Sequence, residues 1–222
     1  SDLRLKDIRK THPETPSNES VSYWESFKHA VLEFKNHADI RFITIYLALG
    51  ITLLGALEEF DQLFYQVVSL PVWAYGLITA GVSVIHIVAS ANAYKIAGIK
   101  SLSWMLLVFS GLLLIGAGMA QSQISLIPLM LAYAVVAPVQ VLTNARFQKT
   151  MEGKSRATTT SALNLFVEGA AIVFTLVFAF VMDVTGVLSA YQAAGGYLLI
   201  FALWVYGKNR KGFTLSNNKE RG

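Results

Sequence analysis

The chain has 222 residues, 54% of them hydrophobic, and a mean hydropathy of +0.50. A soluble domain of this length would not need six nearly uncharged apolar runs, each close to the roughly 20 residues that cross a bilayer as a helix. These features exclude an ordinary soluble protein and predict an all-α integral membrane protein. Cysteine is absent, so disulfide bonds are excluded as well.

The 18 lysines and arginines are distributed unevenly along the chain. They lie in the N-terminal segment up to the start of the first apolar run, in the loops after the second and fourth runs, and in the C-terminal tail. Cations concentrate in this way on the cytoplasmic side of membrane proteins. We therefore predict that both termini are cytoplasmic and that the protein lies in the cell (plasma or inner) membrane. The same distribution argues against nucleic acid as the partner of this basic chain.

Residues 1–36 are polar and charged, and they are predicted to form a cytoplasmic linker followed by an amphipathic helix. Trp24, Phe27, Val31 and Phe34 recur at spacings of three and four residues, which gives a helix one apolar face. Such a helix either packs under the membrane domain or lies free in the membrane interface. We favour packing, because an apolar run follows almost at once.

The six apolar runs, called spans one to six, form a predicted membrane domain over residues 37–207. Their predicted limits are about 40–65, 72–94, 102–119, 124–144, 158–182 and 187–206. Residues 208–222 are predicted to be a cytoplasmic tail. Spans three and six carry almost no polar group, whereas spans one, four and five do.

Span one ends in a polar stretch that contains three acids. Glu58 lies 17 residues after Arg41, or roughly 25 Å along a helix, which places it near the predicted outer face. The stretch is either a wetted helix end or an acidic site for a proton or a cationic substrate. Its candidate residues are Glu58, Glu59 and Asp61 for proton coupling, and Gln62 and Tyr65 for the substrate path.

Single polar side chains mark spans two and four. His86 is predicted to lie roughly 14 Å inside span two, where it is either satisfied by a neighbouring helix or carries a proton. Span four contains Pro128 and Pro138, which predict kinks. Gln140 and Asn144 follow on one helix face, and they either bond a neighbouring helix or line a substrate path.

Span five carries a polar stripe that includes Asn164 and Glu168. Glu168 lies 12 residues after Arg156, or roughly 18 Å, near the middle of a hydrocarbon core about 30 Å thick. A carboxylate at that depth is costly unless it faces protein or water, so it marks a functional site. The alternatives are a structural hydrogen bond from its protonated form, or proton or substrate exchange.

Signatures of soluble enzymes are missing from the sequence. It has no Walker loop, no glycine fingerprint for dinucleotides and no His/Cys metal spacing. Ser83 and His86 are close in sequence, but an intramembrane serine protease needs its base on a different helix. We therefore expect neither an enzyme nor a bound cofactor or metal.

Six spans with both ends inside, an amphipathic helix ahead of the first, and apolar third and sixth spans resemble the C-terminal half of a major facilitator superfamily transporter. Two stretches are more specific. Gly55-Ala-Leu-Glu-Glu-Phe-Asp-Gln-Leu-Phe-Tyr-Gln66, followed by Leu70-Pro71 and Gly76, is similar to the end of the seventh helix in drug-efflux-like members. The stretch from Asn144 to Arg156-Ala-Thr-Thr-Thr-Ser161 is similar to their loop between the tenth and eleventh helices.

The resemblance implies two six-helix halves that rock about a central site, with the first and fourth spans lining the cavity and the third and sixth facing lipid. It implies an N-terminal half elsewhere in a longer chain or supplied by a second copy. The expected function is proton-coupled export of a small organic molecule, that is, antiport, with Glu168 exchanging the proton. The alternatives are a non-transporting scaffold or receptor on the same fold, and a channel.

Because the sequence has no cysteine, one introduced thiol reports the side of its own loop. The charge distribution predicts that Ser122→Cys lies outside and Ser155→Cys inside. A membrane-impermeant maleimide should label the first variant in intact cells and the second only after permeabilisation. The reverse pattern would contradict the predicted orientation.

Overall fold

Helices make up the regular structure of the described part of the chain. The computed structural model describes residues 28, 32, 34, 37–97, 99, 101–150 and 156–209, and it shows no strand among them. Among these residues, six helices are long and apolar enough to cross a membrane, which confirms the predicted all-helical class. They are span one, Ala38–Glu58; span two, Val72–Ala91; span three, Leu102–Met119; span four, Gln123–Arg146; span five, Leu163–Thr185; and span six, Val187–Lys208.

The predicted amphipathic helix falls mostly outside the described residues, and this includes Trp24, Phe27 and Val31. Phe34 is described and is helical. Its side chain packs with Ile40 and Leu163, and its ring centroid lies 6.2 Å from that of Phe166. Phe34 therefore contacts spans one and five.

Span one lies at the centre of the bundle. It begins with the helix Ala38–Tyr46, continues as a wide π-helical segment over Leu47–Ile51, and ends with the helix Thr52–Glu58. At its start Asp39 forms an ion pair with Arg146 of span four at 3.1 Å. Farther along, the buried Tyr46 hydroxyl donates to the carbonyl of Ser103 in span three at 3.0 Å.

The π-helical segment lets span six approach span one closely. A β-carbon on Gly50 would lie 3.0 Å from the Phe201 ring, so glycine makes room for that side chain. Backbone carbonyls in the wide turn accept hydrogen bonds from groups other than the usual α-helical N–H donors. The Leu47 carbonyl accepts the backbone N–H and the hydroxyl of Thr52, and the Leu49 carbonyl accepts the Tyr197 hydroxyl at 2.9 Å.

Spans three and six form the tightest helix pair. Gly111 and Gly195 face each other so closely that a β-carbon on Gly195 would lie 2.5 Å from the Gly111 carbonyl oxygen. Small residues at such crossings let two backbones approach. The amide of Gln192 adds a hydrogen bond to the Gly118 carbonyl at 2.8 Å.

Spans two and five are the least buried helices. Only 11% of the apolar window of span two and 6% of that of span five is buried. Large apolar side chains therefore lie exposed on both, such as Leu77 and Ile87 on span two and Phe166, Leu176 and Phe180 on span five.

Replacing Gly195 by alanine should destabilise the fold by about 1–3 kcal/mol, because the added methyl group overlaps backbone of span three. Gly196→Ala is the matched control, since a β-carbon there has nothing within 4 Å and alanine favours a helix by about 0.5–1 kcal/mol. The free energy of unfolding in mixed micelles measures both. Equal stabilities of the two variants would contradict the close crossing.

Candidate functional site

Two helix interruptions meet at the predicted outer end of span one. The first interruption is a turn at residues 59–60, after which a short helix runs over Asp61–Val67. Phe60 has φ −101° and ψ 2°, and its backbone N–H donates to the Leu57 carbonyl at 2.9 Å. The chain changes course here, which directs the Asp61 side chain into the bundle.

The second interruption divides span four. The helix Leu126–Tyr133 stops, residues 134–135 form a turn, and the helix Val136–Thr150 follows. Pro138 accounts for the position of the break, because it has no N–H to donate to the carbonyl four residues before it and its ring crowds that carbonyl. Pro128 instead lies in the first turn of its helix, where a missing N–H does no harm.

Side chains of neighbouring spans supply hydrogen bonds near this break. The Ser110 hydroxyl donates to the Ala132 carbonyl at 3.2 Å, and His86 Nε2 lies 2.9 Å from the Tyr133 carbonyl oxygen. A histidine that carries its proton on Nε2 donates to that oxygen. The break in span four is thus tied to spans two and three by polar contacts.

The buried Asp61 carboxyl group is surrounded by three phenol groups. The Tyr133 hydroxyl donates to Oδ1 at 2.6 Å, the Tyr65 hydroxyl to Oδ2 at 3.2 Å, and the Tyr191 hydroxyl lies 3.3 Å from Oδ1. Tyr191 has a second acceptor, the Leu57 carbonyl, at 3.2 Å. Asp61 therefore joins its own short helix to spans four and six.

Two opposed effects act on the charge of Asp61. Burial away from water disfavours an ionised carboxylate, and hydroxyl donors favour it. An ionised carboxylate accepts all three phenols, whereas a protonated one turns an O–H toward a neighbouring oxygen and gives up an acceptor site. A change of protonation at Asp61 therefore requires a rearrangement of these hydrogen bonds.

Glu58 and His86 form a second polar pair beside this network. Glu58 Oε1 lies 3.9 Å from His86 Nε2 and is buried without a hydrogen-bond partner among the described residues. Both side chains are partly exposed, His86 by 24% and Glu58 by 34%. Tyr133 connects the two groups, because its hydroxyl bonds Asp61 and its carbonyl bonds His86. We call Glu58, Asp61, His86, Tyr65, Tyr133 and Tyr191 the acid–tyrosine cluster.

The other predicted site residues lie outside the acid–tyrosine cluster. Glu168 is exposed on span five, ten residues before Phe178, whose ring packs against Phe60 beside the cluster. This spacing corresponds to about 15 Å along the helix. The remaining candidates are also exposed: Glu59, Gln62, Gln140, Asn144 and Asn164.

Tyr133 and Tyr191 are functional candidates that the sequence analysis missed. Both lie in apolar surroundings, where their rings look like ordinary core residues. A buried phenol nevertheless requires a partner for its hydroxyl, and this requirement is the available sequence signal. Span six, which the sequence analysis described as carrying almost no polar group, therefore contributes to the polar cluster through Tyr191.

Comparisons with known proteins add no further residues to the cluster. No family model, curated protein or solved structure matches the chain. Within the described ranges, no group of three or more metal-ligating side chains occurs. The chemistry that the geometry supports is proton binding and release by a buried carboxyl group with phenol partners.

Tyr133→Phe should lower the free energy of unfolding by about 1.5–3 kcal/mol if Asp61 is ionised, because it removes the shortest bond to a charged acceptor. Tyr46→Phe is the control, since this equally buried phenol bonds a neutral carbonyl and its loss costs about 1 kcal/mol. Unfolding in mixed micelles measures both variants. The excess cost should vanish in an Asp61→Asn background, and persistence of the full cost there would contradict the pairing.

Proposed function

We propose that this chain is half of a membrane-spanning secondary transporter that couples substrate movement to proton exchange at the acid–tyrosine cluster. One observation carries the proposal: a buried carboxyl group with three phenol partners lies where two interrupted helices meet. Transporters bind their coupling ions at interrupted helices, because free backbone groups and movable segments occur there. Six helices of membrane-spanning length supply the required setting.

The cluster offers a link between protonation and helix position. Ionised Asp61 holds Tyr133 of span four and Tyr191 of span six through their hydroxyls. A proton on Asp61 weakens one or both bonds and frees those spans to shift at the breaks near residues 60 and 134. Within the cluster, Glu58 and His86 form a pair that Tyr133 links to Asp61, and they provide a path by which a proton reaches or leaves the Asp61 carboxyl group.

The second half of the transporter fits against spans two and five. These helices expose most of their apolar surface. By contrast, 67% of the apolar window of span one, at the centre of the bundle, is buried. In the proposed protein this half is part of the same longer chain or a second copy. Glu168, Gln140, Asn144 and Asn164 are exposed, and they would line the substrate path between halves. The resemblance to drug-efflux-like transporters favours export of small organic molecules.

A non-transporting scaffold or receptor on this fold is the second candidate. Its support is that each phenol of the cluster has an acceptor, so the network also serves as a static brace between spans. In that case the neutral Asp61→Asn side chain keeps function as long as the fold survives.

Asp61→Asn should abolish pH-gradient-driven transport, because the amide does not exchange a proton. The measurement is accumulation of ethidium, a cationic probe, in acid-inside everted vesicles that contain the native protein. Glu168→Gln tests the other carboxyl group, and Glu59→Gln is the control for an exposed acid near the cluster. Wild-type accumulation by Asp61→Asn would assign the proton to another group, and loss only in Glu168→Gln would assign it to span five.

A probe-independent measurement separates coupling from choice of substrate. Infrared difference spectra of the purified protein between acid and neutral pH should show the band of a buried protonated carboxyl group. Asp61→Asn should remove that band and Glu168→Gln should keep it. A spectrum unchanged by Asp61→Asn would contradict proton exchange at the cluster even if ethidium is transported.

A further inference from the structure

A cavity lies between the start of span one and the end of span six, on the side opposite to the acid–tyrosine cluster. It holds about 50 Å³ and is lined by Ala38, Arg41, Phe42, Ile45, Trp204 and Lys208. The charge distribution places this end of both spans on the cytoplasmic side. The cavity is therefore expected at the level where lipid head groups meet water.

Charge at the cavity favours an anion. Arg41 belongs to span one and Lys208 to the last turn of span six, so two separate helices each contribute a cation. The described lining residues contain two cations and no acid.

The cavity also has an aromatic wall that continues into an apolar surface. The rings of Phe42 and Trp204 stack with centroids 6.2 Å apart, and the Lys208 ammonium group lies 5.8 Å from the centre of the Trp204 ring. Ile200 lies one helical turn before Trp204 and is 71% exposed. The cations of the cavity thus lie beside an exposed apolar strip on span six, formed by Trp204 and Ile200.

We propose that this cavity binds the phosphate group of an anionic phospholipid, with an acyl chain lying along Trp204 and Ile200. Cations at the head-group level recognise anionic lipids, and tryptophan is enriched at that level. A free phosphate shares the ionic contacts but makes no use of the apolar strip, so the strip favours the lipid. The assignment requires that the chain spans a membrane, and it is independent of any proton coupling.

Native mass spectrometry tests the assignment on the purified chain, released from nanodiscs with equal amounts of phosphatidylglycerol and phosphatidylcholine. Wild-type protein should retain phosphatidylglycerol in preference. Arg41→Gln and Lys208→Gln should each weaken that retention about fivefold, and the double variant about 30-fold. Lys95→Gln is the matched control, because Lys95 also lies 5.8 Å from an aromatic ring, that of Tyr94, but does not line the cavity.

A variant that exchanges the two cations keeps the charge of the cavity and distinguishes loss of lipid binding from misfolding. The Arg41→Lys/Lys208→Arg double variant should keep selective retention, and thermal unfolding in detergent should show that all variants are folded. Equal retention of the two lipids by wild-type protein would overturn the proposal without reference to any variant. An equal loss in Lys95→Gln would also overturn it, because the effect would then be general charge. Displacement of the lipid by glycerol phosphate at equal concentration would assign the cavity to a soluble phosphate ester instead.

Discussion

The structure depends on how one carboxyl group is kept away from water. Asp61 follows directly after a central apolar helix, and its burial would be unfavourable without the hydroxyls of Tyr65, Tyr133 and Tyr191. These phenols come from the short helix after span one and from spans four and six. The folding of this end of the bundle is therefore coupled to the hydrogen bonds of a single side chain.

The large features of the fold followed from the sequence because they depend on length and hydropathy. Six apolar runs separated by polar loops gave six long apolar helices, and the limits of span three, 102–119, are those of the helix Leu102–Met119. Proline chemistry predicted kinks from Pro128 and Pro138 in span four; the break at residues 134–135 confirms the one before Pro138, whereas Pro128 lies in an unbroken helix. Features of this kind are local, since each is set by residues close to one another in the chain.

The site was harder to predict because it depends on which spans meet. The sequence showed that Asp61, Glu58 and His86 were unusual, but it did not show that Tyr133 of span four and Tyr191 of span six point to the same carboxyl group. A phenol in an apolar run looks like any large core side chain. Glu168 had the stronger sequence signal, yet its side chain lies on an exposed face of span five. The depth of a residue along a span does not determine which side of the helix its side chain faces.

The wide π-helical turn at Leu47–Ile51 changes the direction in which the later side chains of span one point around the helix axis. An α-helix rotates about 100° per residue, and a π turn accommodates one residue more than an α turn does. Side chains after Ile51 are therefore offset by about 100° from the positions that the register of Ala38–Tyr46 assigns to them. A helical wheel drawn in one piece over span one therefore places Glu58 about 100° away from its actual direction around the helix. The angular position of Glu58 therefore depends on the π-helical turn that ends seven residues before it, at Ile51.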